Sequence, residues 1–177
     1  MALFLSILRG INVSGQKQIK MADLKKLYEE LGFTNVRTFI QSGNVVFESK
    51  SITKLSEKIE KKIKEHYSFE VPVIIRTKEE LQKAIDDNPF LKKKNIALDK
   101  LHITFLAEQP EEENIKATEA YDYTPDEFYI SNKEVYVYCP NGYGNTKINN
   151  TFFEKKLKVG ATTRNWKTSN ELLKMMK

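Results

Sequence analysis

Residues 36–47 of this 177-residue chain read VRTFIQSGNVVF. Val36, Thr38 and Ile40 alternate with residues of the opposite strand face, and three apolar residues follow Asn44. β-Branched and aromatic residues favour strands, and a short polar segment with glycine between two such runs is typical of a tight turn. The stretch therefore predicts a β-hairpin. Its two strands are the second and third strands expected in the N-terminal half of the chain.

The segments around this hairpin predict a repeating order of strands and helices. Apolar residues recur at helical spacing before it, from Met21 to Leu31, and Gly32 stands where a helix often ends. A second apolar stripe runs from Ile52 to Ile63, and Thr77 with Glu80 forms a capping box for a third helix. Residues 3–8 and 71–76 are mostly apolar and predict the first and the last strand of the order βαββαβ. The third helix follows that last strand.

The second half predicts a similar order. Strands are expected at residues 102–106, 128–130 and 135–138, and an acidic helix is expected to begin near Pro110. Residues 150–158 and 164–176 predict two closing helices, so the second half reads βαββαα. A lysine run near residue 92 suggests a joint, and we expect two domains, residues 1–90 and residues 91–177.

The order βαββαβ is that of the ferredoxin-like split βαβ unit, an antiparallel sheet with its helices on one face. The predicted class is α+β with two consecutive units of this kind. In such a unit the first and second strands run parallel with the third between them, so the loop after strand 1 and the 2–3 turn share one edge. The first core is predicted to contain Val36, Ile40, Ile59, Ile63, Val73 and Ile75.

The composition excludes several classes of protein. Cys139 is the only cysteine, so no internal disulfide forms, and the absence of an apolar run of membrane length favours a cytoplasmic protein. His66 and His102 stand far apart without clustered thiols or carboxylates, so no metal site is predicted. Lysine and arginine exceed acidic residues by 29 to 24, a formal charge of +5, which would attract an anionic partner, although solvated surface lysines are the simpler explanation.

Three stretches carry a family resemblance: residues 8–13 (LRGINV), 40–47 (IQSGNVVF) and 162–168 (TTRNWKT). Together, in this order and at these intervals, they resemble the bacterial family named domain of unknown function 1697, over nearly the whole chain. The resemblance implies a fold of tandem ferredoxin-like units. It implies no established activity, so the function has to be argued from the residues.

The predicted shared edge of the first half gathers polar side chains near the start of the first helix. The N–H groups at a helix start attract anions, and Gly10 and Gly15 permit a tightly turning loop. The alternative is structural: Gly10 and Gly43 serve tight turns, while two asparagines cap them. The candidate ligand-binding residues at this edge are Arg9, Asn12, Lys17, Gln41, Ser42 and Asn44.

Two further segments are candidates in the second half. Arg164 suits bidentate pairing with phosphate or carboxylate, and Asn165 and Trp166 beside it are candidate ligand-binding residues, with the indole able to stack. The structural alternative makes Thr162 or Thr163 a helix cap and the tryptophan a core residue. The glycine-rich residues 141–147 lead into a helix and resemble either a binding loop or a plain connection.

The sequence favours a binding module for a small anionic ligand, bearing phosphate or carboxylate. A nucleic-acid-binding protein is the first alternative, because Tyr129, Tyr136 and Tyr138 would share one sheet face if Val135 and Val137 face the helices. The RNP1 pattern is absent, however, and tyrosines on a half-buried sheet more often cover a core. An enzyme without a recognisable motif, such as a transferase, is the second alternative. The sequence leaves the cofactor, the reaction and the oligomeric state open.

Overall fold

Eight β-strands and six α-helices make up the chain, and the computed structural model describes all 177 residues. The strands are Ala2–Leu8 (β1), Thr34–Phe39 (β2), Asn44–Ser49 (β3), Val73–Thr77 (β4), Leu101–Leu106 (β5), Glu127–Ser131 (β6), Glu134–Tyr138 (β7) and Ala161–Asn165 (β8). The α-helices are Met21–Glu30 (α1), Leu55–Tyr67 (α2), Lys78–Asp86 (α3), Glu112–Glu119 (α4), Asn150–Leu157 (α5) and Trp166–Met175 (α6). Single 3-10 turns occur at Pro89–Lys92, Leu98–Lys100 and Tyr143–Asn145.

The chain divides into two units, which are described separately. Unit 1 consists of residues 1–82 and 172–177, and unit 2 of residues 83–171. The longest α-helix, α2, has 13 residues and many charges, and no helix of the chain has the length and apolar character needed to span a lipid bilayer.

The sheet of unit 1 has the order β2-β3-β1-β4, and neighbouring strands are all antiparallel. Strands β1 and β2 therefore run parallel with β3 between them, as predicted. One sheet face packs on α1 and α2, because alternate strand residues and the apolar stripes of both helices are buried together. This core includes Phe4, Leu8, Val45 and Phe47 from the sheet, and Leu24, Tyr28, Ile59 and Ile63 from the helices.

The sheet of unit 2 has the equivalent order β6-β7-β5-β8, again antiparallel throughout. Its core joins Leu106, Val135 and Val137 of the sheet to Phe153 and Leu157 of α5. The predicted class, α+β with two consecutive ferredoxin-like units and antiparallel sheets, is confirmed, and each sheet has four strands.

The strand registers show that the two units repeat position by position. In unit 1, Leu5 lies opposite Val46 on one side and Arg76 on the other. In unit 2, Ile103 has the same relation to Tyr136 and Arg164. The repeat is thus present in the pairing of the strands as well as in their order, although the side chains at equivalent positions differ.

One element of unit 2 differs from the prediction. Residues Ala161–Asn165 form β8, so α6 begins at Trp166 rather than at residue 164, and the order is βαββαβα instead of βαββαα. The strand is only five residues long and mostly polar, with two consecutive threonines. Local pattern favoured a helix cap there, whereas antiparallel pairing with β5 makes the segment a strand.

Ile40 is the clear exception in the predicted core. Strand β2 ends at Phe39, and Ile40 lies in the following turn with a φ of 51° and 49% exposure. The alternation therefore stops one residue earlier than the pattern suggests. The remaining predicted core residues are buried, namely Val36, Ile59, Ile63 and Val73, or half-buried, namely Ile75.

Candidate functional site

Three segments of unit 1 meet where β1 ends: the β1–α1 loop (residues 9–20), the β2–β3 turn (residues 40–43) and the segment entering β4 (residues 68–72). The N–H of Leu8 donates to the Gly43 carbonyl at 2.9 Å, and the N–H of Arg9 donates to the Pro72 carbonyl at 3.0 Å. The first two segments meet because β1 and β2 are parallel. The third joins them because β4 is antiparallel to β1 and therefore begins where β1 ends.

Within the β1–α1 loop, residues 12–17 form a miniature hairpin. The N–H of Gln16 donates to the Val13 carbonyl at 2.9 Å, and the N–H of Asn12 donates to the Lys17 carbonyl at 3.1 Å. Ser14 and Gly15 at its tip both have positive φ, at 51° and 74°. Two central residues of that kind are typical of the type I′ turn, whose twist suits a tight hairpin.

Asn12 fastens this small hairpin to its surroundings. Its Oδ1 accepts from the N–H of Ile19 at 2.8 Å, and its Nδ2 donates to the Ile19 carbonyl at 3.0 Å and to the Gln41 carbonyl at 2.7 Å. One side chain thus holds both ends of the loop and the β2–β3 turn. Because its amide bonds the protein in this way, Asn12 positions the loop.

Asn44 has a comparable role beneath the β2–β3 turn. It is fully buried, and its Nδ2 donates to the Phe39 carbonyl and to Ser42 Oγ, both at 3.0 Å. Gly43 beside it has a φ of 89°, and a Cβ there would lie 2.7 Å from Ile11 Cδ1 and 2.8 Å from Leu8 Cβ. The turn therefore packs directly on the β1–α1 loop, without room for a side chain at Gly43.

The charges at this end of the sheet are predominantly positive. Lys17 Nζ donates to the Glu70 carbonyl at 2.7 Å, and Lys64 pairs with the Glu70 carboxylate at 3.1 Å. Lys20 immediately precedes α1, whose start has no side-chain cap. Asp23 in the first turn of α1 and Glu70 oppose these cations and the half-buried Arg9, but the edge keeps an excess of positive charge.

Two apolar side chains at the same edge were not among the predicted site residues. Val13 is 58% exposed and Ile40 is 49% exposed, and each adjoins one partner of the Asn12–Gln41 hydrogen bond. The segment containing Glu70 was also missed. Its place could have been deduced from topology, because the strand antiparallel to β1 must begin where β1 ends.

The structure places the other predicted residues, Arg164, Asn165 and Trp166, in unit 2. The guanidinium of Arg164 donates to Thr162 Oγ1 at 3.1 Å and to the Thr163 carbonyl at 2.9 Å, and burial lowers its pKa to about 10. Asn165 Oδ1 accepts from the N–H of Thr168 at 2.8 Å. The α6 cap is thus Asn165, in place of the expected Thr162 or Thr163, and Trp166 is half-buried at the first position of α6.

The glycine-rich residues 141–147 border a cavity of about 380 Å³ in unit 2. Its charged lining consists of Asp122, Asp126 and Lys147. Hydrogen bonds from Thr124 lower the pKa of the Asp122 carboxyl, which favours its ionised form. Two carboxylates facing one ammonium make this cavity unfavourable for an anion.

The tyrosines of unit 2 do not form an open stacking surface. Val135 and Val137 belong to the core on the helix side, so Tyr136 lies on the opposite face, as expected. It is nevertheless only 2% exposed, and Phe90 packs against the rings of Tyr129 and Tyr138. Tyr129 is the exposed one of the three, at 41%, so the sheet offers a single well-exposed ring in place of the row on which nucleic-acid bases stack.

His102 in unit 2 is expected to make the stability of the protein depend on pH. Its ring stacks on Tyr143 with centroids 4.6 Å apart, and burial lowers its pKa below the usual value. The unfolded chain then binds the proton more readily, so stability should be lost as pH falls through the unfolded pKa of about 6.5. Phe4 occupies the equivalent register position in unit 1.

We therefore expect His102→Phe to reduce the loss of stability on acidification while keeping the ring contact. Urea denaturation of both proteins between pH 5 and pH 8 measures the effect. Equal pH slopes for the two proteins would show that His102 does not contribute to acid destabilisation.

Comparison with known proteins places the chain in a family. Residues 1–136 match the family described as protein of unknown function (DUF1697). The solved structure of the conserved bacterial protein SP0830 from Streptococcus pneumoniae is similar, with a TM-score of 0.80 and 24% identity over 99% of both chains, a likeness that shows the fold. No curated protein matches the chain. The chain, with its two repeated four-stranded units, belongs to the DUF1697 family.

Proposed function

We propose that unit 1 is a binding module for a small anion, bearing phosphate or carboxylate, at the end of β1. Arg9 and Lys17 would supply charge, and Gln41 and Ser42 would supply hydrogen bonds. The observation that carries this proposal is the Asn12 side chain, whose three hydrogen bonds hold the β1–α1 loop against the β2–β3 turn. A loop that is already ordered loses less conformational entropy when it binds a ligand.

The electrostatics of the edge support the same ligand class. Glu70 is the acidic residue of the three converging segments, and its carboxylate is paired with Lys64. Arg9, Lys17 and Lys20 lie on these segments next to the start of α1, whose first turn carries Asp23. This excess of positive charge supports an anionic ligand.

The predicted residues have different roles in the proposed site. Asn12 and Asn44 are positioning residues, since their amides bond the protein itself. Arg9 is the main anion contact, because a guanidinium pairs with phosphate or carboxylate through two parallel hydrogen bonds. Gln41 is exposed and Ser42 half-exposed, so both side chains are within reach of a ligand.

A panel of inorganic phosphate, sulfate, mononucleotides and dicarboxylates, compared with chloride at equal ionic strength, tests the proposal. A member present at 100 times its Kd should stabilise the wild type by about 2.7 kcal/mol, which thermal denaturation detects as a shift in Tm. Arg9→Ala and Lys17→Ala should each remove most of that shift. Lys50→Ala is the matched control, because Lys50 is an exposed cation beyond β3, at the opposite end of the same sheet.

A wild type that no member of the panel stabilises would refute the proposed function. So would an equal loss of the shift in Lys50→Ala, which would indicate a general charge effect. If Arg9→Ala fails to fold, Arg9 is structural, and Lys17→Ala with Gln41→Ala then decides whether the edge binds the anion.

A further inference from the structure

We propose that the anion bound at this edge carries an apolar group, such as a short alkyl chain, and that Val13 and Ile40 contact it. This inference rests on the proposed function and specifies its ligand class. A single exposed apolar side chain is ordinary on a protein surface. Here two of them adjoin the same hydrogen bond, on the two segments that Asn12 holds together.

The backbone of Ile40 gives this pair its significance. A β-branched residue at a φ of 51° is unusual, because its Cβ crowds the backbone, and glycine or asparagine adopts that conformation more easily. The Ile40 side chain does not gain burial in return, since it is half exposed. Strain that brings no gain in packing is a known property of residues kept for binding.

The charges around the pair identify its partner. Arg9 lies just beyond β1, and Lys17 closes the small hairpin that begins at Asn12. An apolar contact bordered by cations is complementary to a molecule with an anionic head and an apolar tail. A plain inorganic ion would use the cations and leave both apolar side chains in water.

The test is a series of primary alkyl phosphates from methyl to hexyl, with affinities obtained by calorimetry and by the shift in Tm. For the wild type we expect each added methylene to tighten binding by up to about fourfold, the equivalent of about 0.8 kcal/mol per buried methylene. In Ile40→Asn this gain should largely disappear, while the unliganded protein melts at a higher temperature because asparagine tolerates positive φ.

Ile52→Asn is the control variant. Ile52 is 69% exposed and lies beyond β3, at the opposite end of the unit 1 sheet, so its replacement should leave the gain per methylene at the wild-type value. A wild type that binds phosphate with no dependence on chain length would overturn the inference and leave the proposed function intact. Failure of every compound, inorganic phosphate included, would overturn both.

Persistence of the full chain-length dependence in Ile40→Asn would place the tail elsewhere and also overturn the inference. Val13→Ser then provides an independent check on the other half of the contact, since it leaves the φ of residue 40 unchanged. The inference requires that this variant, too, lose part of the gain per methylene.

Discussion

Replacing Gly43 with alanine is expected to destabilise the protein by about 2–5 kcal/mol. The new Cβ would lie 2.7 Å from Ile11 Cδ1 and 2.8 Å from Leu8 Cβ, and both neighbours are buried. Overpacking of this kind costs about 1–3 kcal/mol, and a left-handed φ of 89° adds about 1–2 kcal/mol for a residue with a side chain. Urea denaturation measures the sum as a loss in the free energy of unfolding.

Gly10→Ala separates the two contributions. Gly10 has a φ of 74°, but nothing lies within 4 Å of a Cβ built there. Only the backbone cost of about 1–2 kcal/mol should remain. If both variants lose the same stability, the close packing of the β2–β3 turn on the β1–α1 loop is not what requires glycine at position 43.

Phe47→Ala is expected to cost about 3–5 kcal/mol, the usual range for a buried phenylalanine. Phe47 is fully buried at the centre of the unit 1 core. Its ring stacks on Phe33 with centroids 4.5 Å apart and meets the edge of Tyr28 at 5.4 Å. Alanine would leave a cavity among rings that α1, the segment after it and β1 hold in place.

Phe39→Ala is the appropriate comparison, because Phe39 lies on the neighbouring strand β2 but is only half-buried. The Phe39→Ala variant should lose clearly less stability, about 2 kcal/mol or less, because the Phe39 side chain buries less apolar surface on folding. Phe47→Val should fall between the two; valine occupies the equivalent position, Val137, in unit 2. A loss of less than about 1 kcal/mol for Phe47→Ala would contradict the assigned core.

The elements of this fold with a strong local pattern could be predicted. The stripe containing Ile59 and Ile63 repeats at the period of a helix, and the β-branched and aromatic run Val45-Val46-Phe47 is typical of a strand. Neighbours along the chain therefore suffice to identify both elements. Strand β8 could not be found in this way. Its residues Ala161–Asn165 carry no apolar run, and their extended state depends on pairing with β5, more than 50 residues away.

The candidate site, too, could be predicted only in part. Once the order βαββαβ was known, chain topology alone brought the β1–α1 loop and the β2–β3 turn to one end of the sheet. It could not show how their side chains are used. Asn12 bonds Gln41, 29 residues away, and Asn44 is buried under its own turn, so both amides serve the protein.

The sequence by itself determined the order of elements in the first half, the order of strands in the first sheet and the edge where polar residues gather, because these follow from local periodicity and the handedness of connections. The tertiary structure alone decided which side chains remain accessible. Ile40 is exposed because β2 ends one residue before it. Tyr136 is buried, although it alternates with Val135 and lies on the sheet face away from the helices. Accessibility depends on what covers a residue, and the covering atoms come from segments distant in the chain, beyond the reach of any local pattern.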